Sequence, residues 1–158
     1  MKVIDRYIAG IVIKHTLAVL MALILLRSLF AFIDDSADVG TGDYELLDAF
    51  FFILLQVPAR VYEFFPVSAL IGGLIGMGRL ASQSELVVMR SAGMSLGQIS
   101  KSVLIGTLGL MVIVVFVGEV ISPKSSQLGR QMKTFALSGG NLVKSERGVW
   151  VRDGLNYV

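Results

Sequence analysis

Glu85 and Arg90, set in the polar run 82–93 between two long apolar stretches, are the charges of this chain best placed for recognition. Ser82 with Glu85 three residues on has the form of a capping box. Gly93 readily takes the left-handed conformation that ends helices, so 83–92 is expected to be a helix of about three turns. Glu85 and Arg90 would give register to a partner while Leu86 and Met89 fill a groove in it. The same pattern also suits a plain connector lying along a membrane. Ser95 with Gln98 repeats the cap at the start of the next helix, after a tight turn at 93–95.

Covalent chemistry has no candidates. The chain has no cysteine and a single histidine, His15, and lacks the Gly-x-x-x-x-Gly-Lys-Ser/Thr phosphate loop. Neither nucleotide hydrolysis nor a Ser/His or Cys/His nucleophile is supported, and no metal site or cofactor is expected. The chain is therefore read as a non-enzyme.

The remaining charges lie within apolar stretches. Lys14 is placed for its ammonium to snorkel to headgroups. Arg27 can do the same at the far end of the same helix, or its guanidinium can meet the phosphates of a glycolipid bidentately. Arg60 and Glu63 stand three apart and are expected to pair. Ser68, Gly72 and Gly76 share a face whose small side chains allow another helix to approach closely.

These residues are carried by membrane-length elements. Hydrophobic residues make up 54% of the chain and charged ones 16%, and mean hydropathy is +0.76. The apolar residues come in runs without a polar face, which suits lipid rather than a soluble core. Three spans are expected, at about 8–33, 58–80 and 96–121. The first would reach about 39 Å, enough to cross a hydrocarbon core of about 30 Å with tilt. The stretch 46–80 is too long for one crossing and holds Pro58 and Pro66. It is divided at Val57 and Pro58 into a short interfacial helix over 44–56 and the second span, with a kink near Pro66.

Charge sets the orientation. The connection 34–48 carries Asp34, Asp35, Asp38, Asp43, Glu45 and Asp48 and no Lys or Arg, whereas Lys2, Arg6, Arg79, Arg90 and Lys101 flank the other ends. The N-terminus and the 83–92 helix are thus expected in the cytoplasm and the C-terminus outside. Lys124, Arg130 and Lys133 on the outer side run against that rule, which translocated domains largely escape. The apolar N-terminal stretch is too long for a cleaved signal and reads as a retained anchor. Beyond a helical extension up to Leu137, Val149, Trp150 and Val151 are strand formers and Asp153-Gly154 is a strong turn signal, so a hairpin is expected there. The fold class expected is membrane all-α with three spans, N-terminus cytoplasmic, followed over 122–158 by a periplasmic extension and the incomplete start of a β-sandwich or jelly roll.

Taken in order, Asp5-Arg6-Tyr7-Ile8, Phe65-Pro66, Ser84-Glu85-Leu86-Val87-Val88-Met89, Gly93, Gly118-Glu119 with Pro123, and Gly148-Val149-Trp150 with Asp153-Gly154 resemble the lipopolysaccharide-transport permease family (LptF/LptG). The resemblance covers essentially the whole chain. It implies one of two homologous permeases, the other here being LptF, on a dimeric cytoplasmic ATPase (LptB), with single-span LptC and LptA further along the route. The cargo implied is lipopolysaccharide, extracted from the inner membrane toward the outer membrane, and no nucleic acid is expected. Glu85, Leu86, Met89 and Arg90 would form the coupling helix; Leu17, Leu20, Ile24 and Phe30, with Arg27, would line an acyl-chain cavity or lateral gate. The β-segment would open a periplasmic jelly roll. Full members have six spans, so the resemblance reaches only a first half and the entry to the β-domain. The other reading is a membrane scaffold that binds a periplasmic β-protein by strand addition at 153–158.

Overall fold

The computed structural model describes residues 3–40 and 44–137. Among them the chain is all helical: α1 (Val3–Ser36), α2 (Leu46–Ser82), α3 (Glu85–Ser91), α4 (Leu96–Phe116), a π turn (Val117–Ile121) and α5 (Ser122–Leu137). The last three form one rod, Leu96–Leu137, and this rod, α1 and α2 are each long and apolar enough to cross a membrane. The strands and hairpin expected at 149–158 lie outside the described residues.

Each helix buries only a narrow stripe. On α1 the stripe is Ile8, Val12, Thr16, Leu20 and Ile24, four residues apart, whereas Leu25, Leu29, Leu70, Leu74 and Val112 stand exposed. That inverted economy is what lipid permits, because it solvates leucine as well as a protein interior does. Contact between helices therefore relies on close approach. Gly72 lies so near the Thr16 backbone that a Cβ there would run into it, and a Cβ on Gly76 would sit 3.3 Å from the Val12 Cα. Gly106 on α4 gives the same intimacy against Ala9, where a Cβ would come within 3.0 Å of the Ala9 methyl. The Thr16 hydroxyl, buried in this seam, has no hydrogen-bond partner.

The division expected at Val57 and Pro58 is absent. α2 runs unbroken for 37 residues, about 55 Å, through both prolines. Each proline leaves one carbonyl of the preceding turn without its helical donor, a loss that neighbouring helices make tolerable in membrane proteins. Here α1 lines α2, and the first turns of α2 are held from the other side by α5, where Gly129 meets Phe52 and Leu55. Packing along the length thus overrides the local tendency to break. Residues 46–56 continue the helix axis instead of forming a separate helix.

The end of α2 also differs from expectation. Ser82 is its last residue and caps no helix start, its hydroxyl donating instead to the Arg79 carbonyl at 2.9 Å; Ser84, at a left-handed φ of 59°, precedes α3 without a side-chain cap. α3 closes in a Schellman motif, with Met94 N–H donating to the Met89 carbonyl at 3.1 Å and Gly93 N–H to the Arg90 carbonyl at 3.0 Å. Gly93 takes φ 90°, which is why a glycine is needed there. The Ser95–Gln98 box forms as expected, Gln98 N–H donating to Ser95 Oγ at 3.3 Å and Ser95 N–H to Gln98 Oε1 at 3.2 Å.

Candidate functional site

Polar side chains gather at the two ends of the bundle. At the α3 end, Ile8, Leu80 and Ile99 form a buried cluster on which Leu86, Met89 and Met94 pack. Leu86 and Met89 therefore face their own chain. The apolar side chains that α3 turns outward are Val87 and Val88, 66% and 65% exposed, and Arg90 is exposed beside them. Glu85 is half-buried and lies within electrostatic reach of Tyr7 on α1. Ser102 Oγ donates to Asp5 Oδ1 at 2.8 Å, joining α4 to α1 beside a cavity of about 470 Å³ bordered by Met94, Gln98 and Lys101. An interhelical hydrogen bond in a membrane contributes about 0.6 kcal/mol on average, so the apolar cluster dominates here and the bond adds register.

At the opposite end, Asp35 from α1 accepts from the Tyr44 hydroxyl and forms an ion pair with Lys133 of α5. Lys133 also reaches Asp38 at 2.9 Å and lies over the rings of Phe52, 5.1 Å from the centroid, and Tyr44, 5.6 Å. Gly40 N–H donates to the Tyr44 carbonyl at 3.0 Å, closing the connection between α1 and α2. Tyr44 is 1% exposed. Burial, and then the hydrogen bond and charge of Asp35, raise its pKa well above the ordinary phenol range. The cluster ties α1, α2 and α5 together with one cation and two carboxylates.

A groove of about 320 Å³ runs from this cluster to Arg27 and Arg60. Arg60 is 4% exposed and does not pair with Glu63: its two terminal nitrogens donate to Ser28 Oγ at 2.6 Å and Gln56 Oε1 at 3.3 Å. Ser28 reaches Arg60 across the α1–α2 seam, whereas Glu63 is exposed. His15 is accounted for by its own helix, with Nδ1 donating to the Ile11 carbonyl at 2.8 Å.

The residues expected to line a lipid cavity separate into two groups. Leu20 and Ile24 are buried in the stripe of α1 and unavailable to a ligand, whereas Leu17, Arg27 and Phe30 remain exposed. Ser68, Gly72 and Gly76 are all buried on α2, Ser68 Oγ donating to the Phe64 carbonyl at 2.8 Å. The Asp35–Tyr44–Lys133 cluster and the Arg60–Ser28 link had no local signal. The hint was the pairing of an acidic connection with a basic segment about a hundred residues later.

A family model described as lipopolysaccharide export system permease LptF/LptG matches residues 6–158. The lipopolysaccharide export system permease protein LptG of Escherichia coli K12 is 36% identical over 156 residues, 99% of this chain and 43% of that protein. The protein of the same description from Haemophilus influenzae is 39% identical over 155 residues, 98% of this chain and 43% of its own length. The chain thus spans less than half the length of the curated relatives it matches.

Proposed function

The chain belongs to the lipopolysaccharide export permease LptF/LptG family, and from that premise we propose that it is the first part of a transmembrane permease subunit of an ATP-driven lipopolysaccharide exporter in a bacterial inner membrane. The match along 6–158 carries this reading, and three membrane-length helices support it. The α3 end faces the cytoplasm and the Asp35 end the periplasm, in keeping with the charge of the connections. Energy enters from a cytoplasmic ATPase (LptB), with a homologous permease (LptF), LptC and LptA as the further partners. α5 is the stem of the periplasmic jelly roll.

In this reading α3 is the coupling helix. Its docking face is Val87, Val88 and Arg90, with Glu85 at the edge, while Leu86 and Met89 anchor the helix to Ile8, Leu80 and Ile99 so that force passes into all three long helices. The test is co-purification of the ATPase with the full-length permease. Val88→Asp and Arg90→Glu are expected to lower the retained ATPase at least about tenfold, the loss typical of central interface residues, with membrane insertion unchanged. ATPase retention at the unsubstituted level in both variants overturns the assignment.

A further inference from the structure

Glu63 stands exposed on α2, about 24 Å along the helix axis from Arg79, the basic residue of its last turn. With Arg79 at the cytoplasmic surface, a hydrocarbon core of about 30 Å places Glu63 inside the bilayer, in its outer half. Among the described residues it has no hydrogen bond or ion pair; Arg60, one turn earlier, acts on it only through longer-range charge. Carboxylates at such depth face other helices or a water-filled path and are paired there. A second acceptor stands beside it. Pro66 has no N–H, so the Tyr62 carbonyl lacks its helical donor. Tyr62, Glu63 and Pro66 border a hollow of about 280 Å³ that Met111, Val114 and Val115 line from α4. The Tyr62 ring rests on Gly118 of the π turn, where a Cβ would run into it, so α2 and the rod are held together at this level.

We propose that this face of α2 and α4 receives a membrane-spanning helix from the part of the permease beyond residue 158, and that the helix brings a lysine or arginine to Glu63. The chemistry of the hollow selects a cation: a carboxylate and an undonated carbonyl both accept, and an ammonium or guanidinium can donate to the two at once. Apolar Met111, Val114 and Val115 suit the flank of such a helix. Chain to supply it is at hand, since the match covers only 43% of the relatives from Escherichia coli and Haemophilus influenzae. A helix of the same polypeptide also meets Glu63 at high effective concentration, so the carboxylate is covered as the protein folds. The site rests on the reading of this chain as the first part of a longer permease and makes no use of α3.

The experiment places a photoreactive benzophenone side chain at Val115 of the full-length permease, irradiates it in native membranes and identifies the adduct by peptide mass spectrometry. The expected adduct is a peptide of the same polypeptide whose apolar run is interrupted by a lysine or arginine. Glu63→Gln, which keeps the shape and loses the charge, is expected to lower its yield about threefold, and Glu63→Lys, which sets like charges together, at least about tenfold. Changing the basic residue of that peptide to Glu in the Glu63→Lys protein should restore the yield, a rescue that a misfolded variant would not show. Adducts confined to phospholipid, or to a peptide of another polypeptide, overturn the proposal, as do equal yields from unsubstituted, Glu63→Gln and Glu63→Lys proteins. Co-purification of the ATPase is scored on the same samples. Missing adducts with the ATPase retained count against the helix site alone, whereas absence of the ATPase from the unsubstituted sample counts against the permease reading.

Discussion

Tyr44 and Thr16 are opposite cases of a buried hydroxyl. Tyr44 donates to Asp35, and its replacement by Phe leaves a buried carboxylate short of one donor, so Tyr44→Phe is expected to lower stability by about 1–3 kcal/mol in detergent unfolding. Its raised pKa adds a pH signature. The folded state holds the phenol proton more tightly than the unfolded chain, so the stabilisation is complete below about pH 10 and declines as pH rises through the shifted value. The stability difference between unsubstituted and Tyr44→Phe proteins should be constant from about pH 7 to 9 and shrink above about pH 10; a constant difference up to about pH 12 would contradict the assignment. Thr16 has no partner to lose. Thr16→Val removes an unsatisfied buried hydroxyl at matched volume and is expected to raise stability by about 1 kcal/mol in the same measurement. Little of this was legible in the sequence. Spacing along one helix points Arg60 to Glu63, but a buried guanidinium is satisfied from whichever helix lies against it, here α1 through Ser28. The same blindness to the third dimension turned Leu86 and Met89 toward a partner.

At the scale of elements the small-residue face of α2 discriminates sharply. Gly72 meets the Thr16 backbone, while an added methyl on Gly73, one residue on, would find nothing within 4 Å. Gly72→Ala is expected to push α1 and α2 apart and cost about 1–3 kcal/mol. Gly73→Ala should be neutral or stabilising by up to about 1 kcal/mol, since it only trades glycine for a better helix former. Equal effects of the two in denaturant titration would show that the seam is looser than described. Run length and the absence of polar faces were enough to read three long helices, and the Ser95–Gln98 cap and the Gly93 stop were local enough to read as well. The continuity of α2 was not. Pro58 announces a break to any local rule, and only the flanking α1 and α5 reveal why none occurs.

For the whole molecule, orientation is the quantity that every functional statement above uses. Residues 1–158 contain no cysteine, so single cysteines introduced there report it without background from this segment. Ser84→Cys, beside α3, should react with an impermeant maleimide only after the cytoplasmic face is opened, and Ser36→Cys, at the end of α1, should react from the periplasm of intact cells. The reverse pattern would invert the charge argument and remove α3 from reach of a cytoplasmic motor. The acidic connection argues for this orientation, while the basic segment 124–133 argues against it. The structure gives the Lys133 charge an occupation, bound to Asp35 and Asp38. The two polar clasps at the ends of the bundle share one more property. Asp35 and Lys133 are 98 positions apart and Asp5 and Ser102 are 97 apart, so neither can close while only α1 and α2 have left the ribosome. A nascent chain halted at that stage lacks both clasps, one at each end of the bundle, and arrival of the third rod completes both, making this pair of bonds a built-in marker that the three rods have come together.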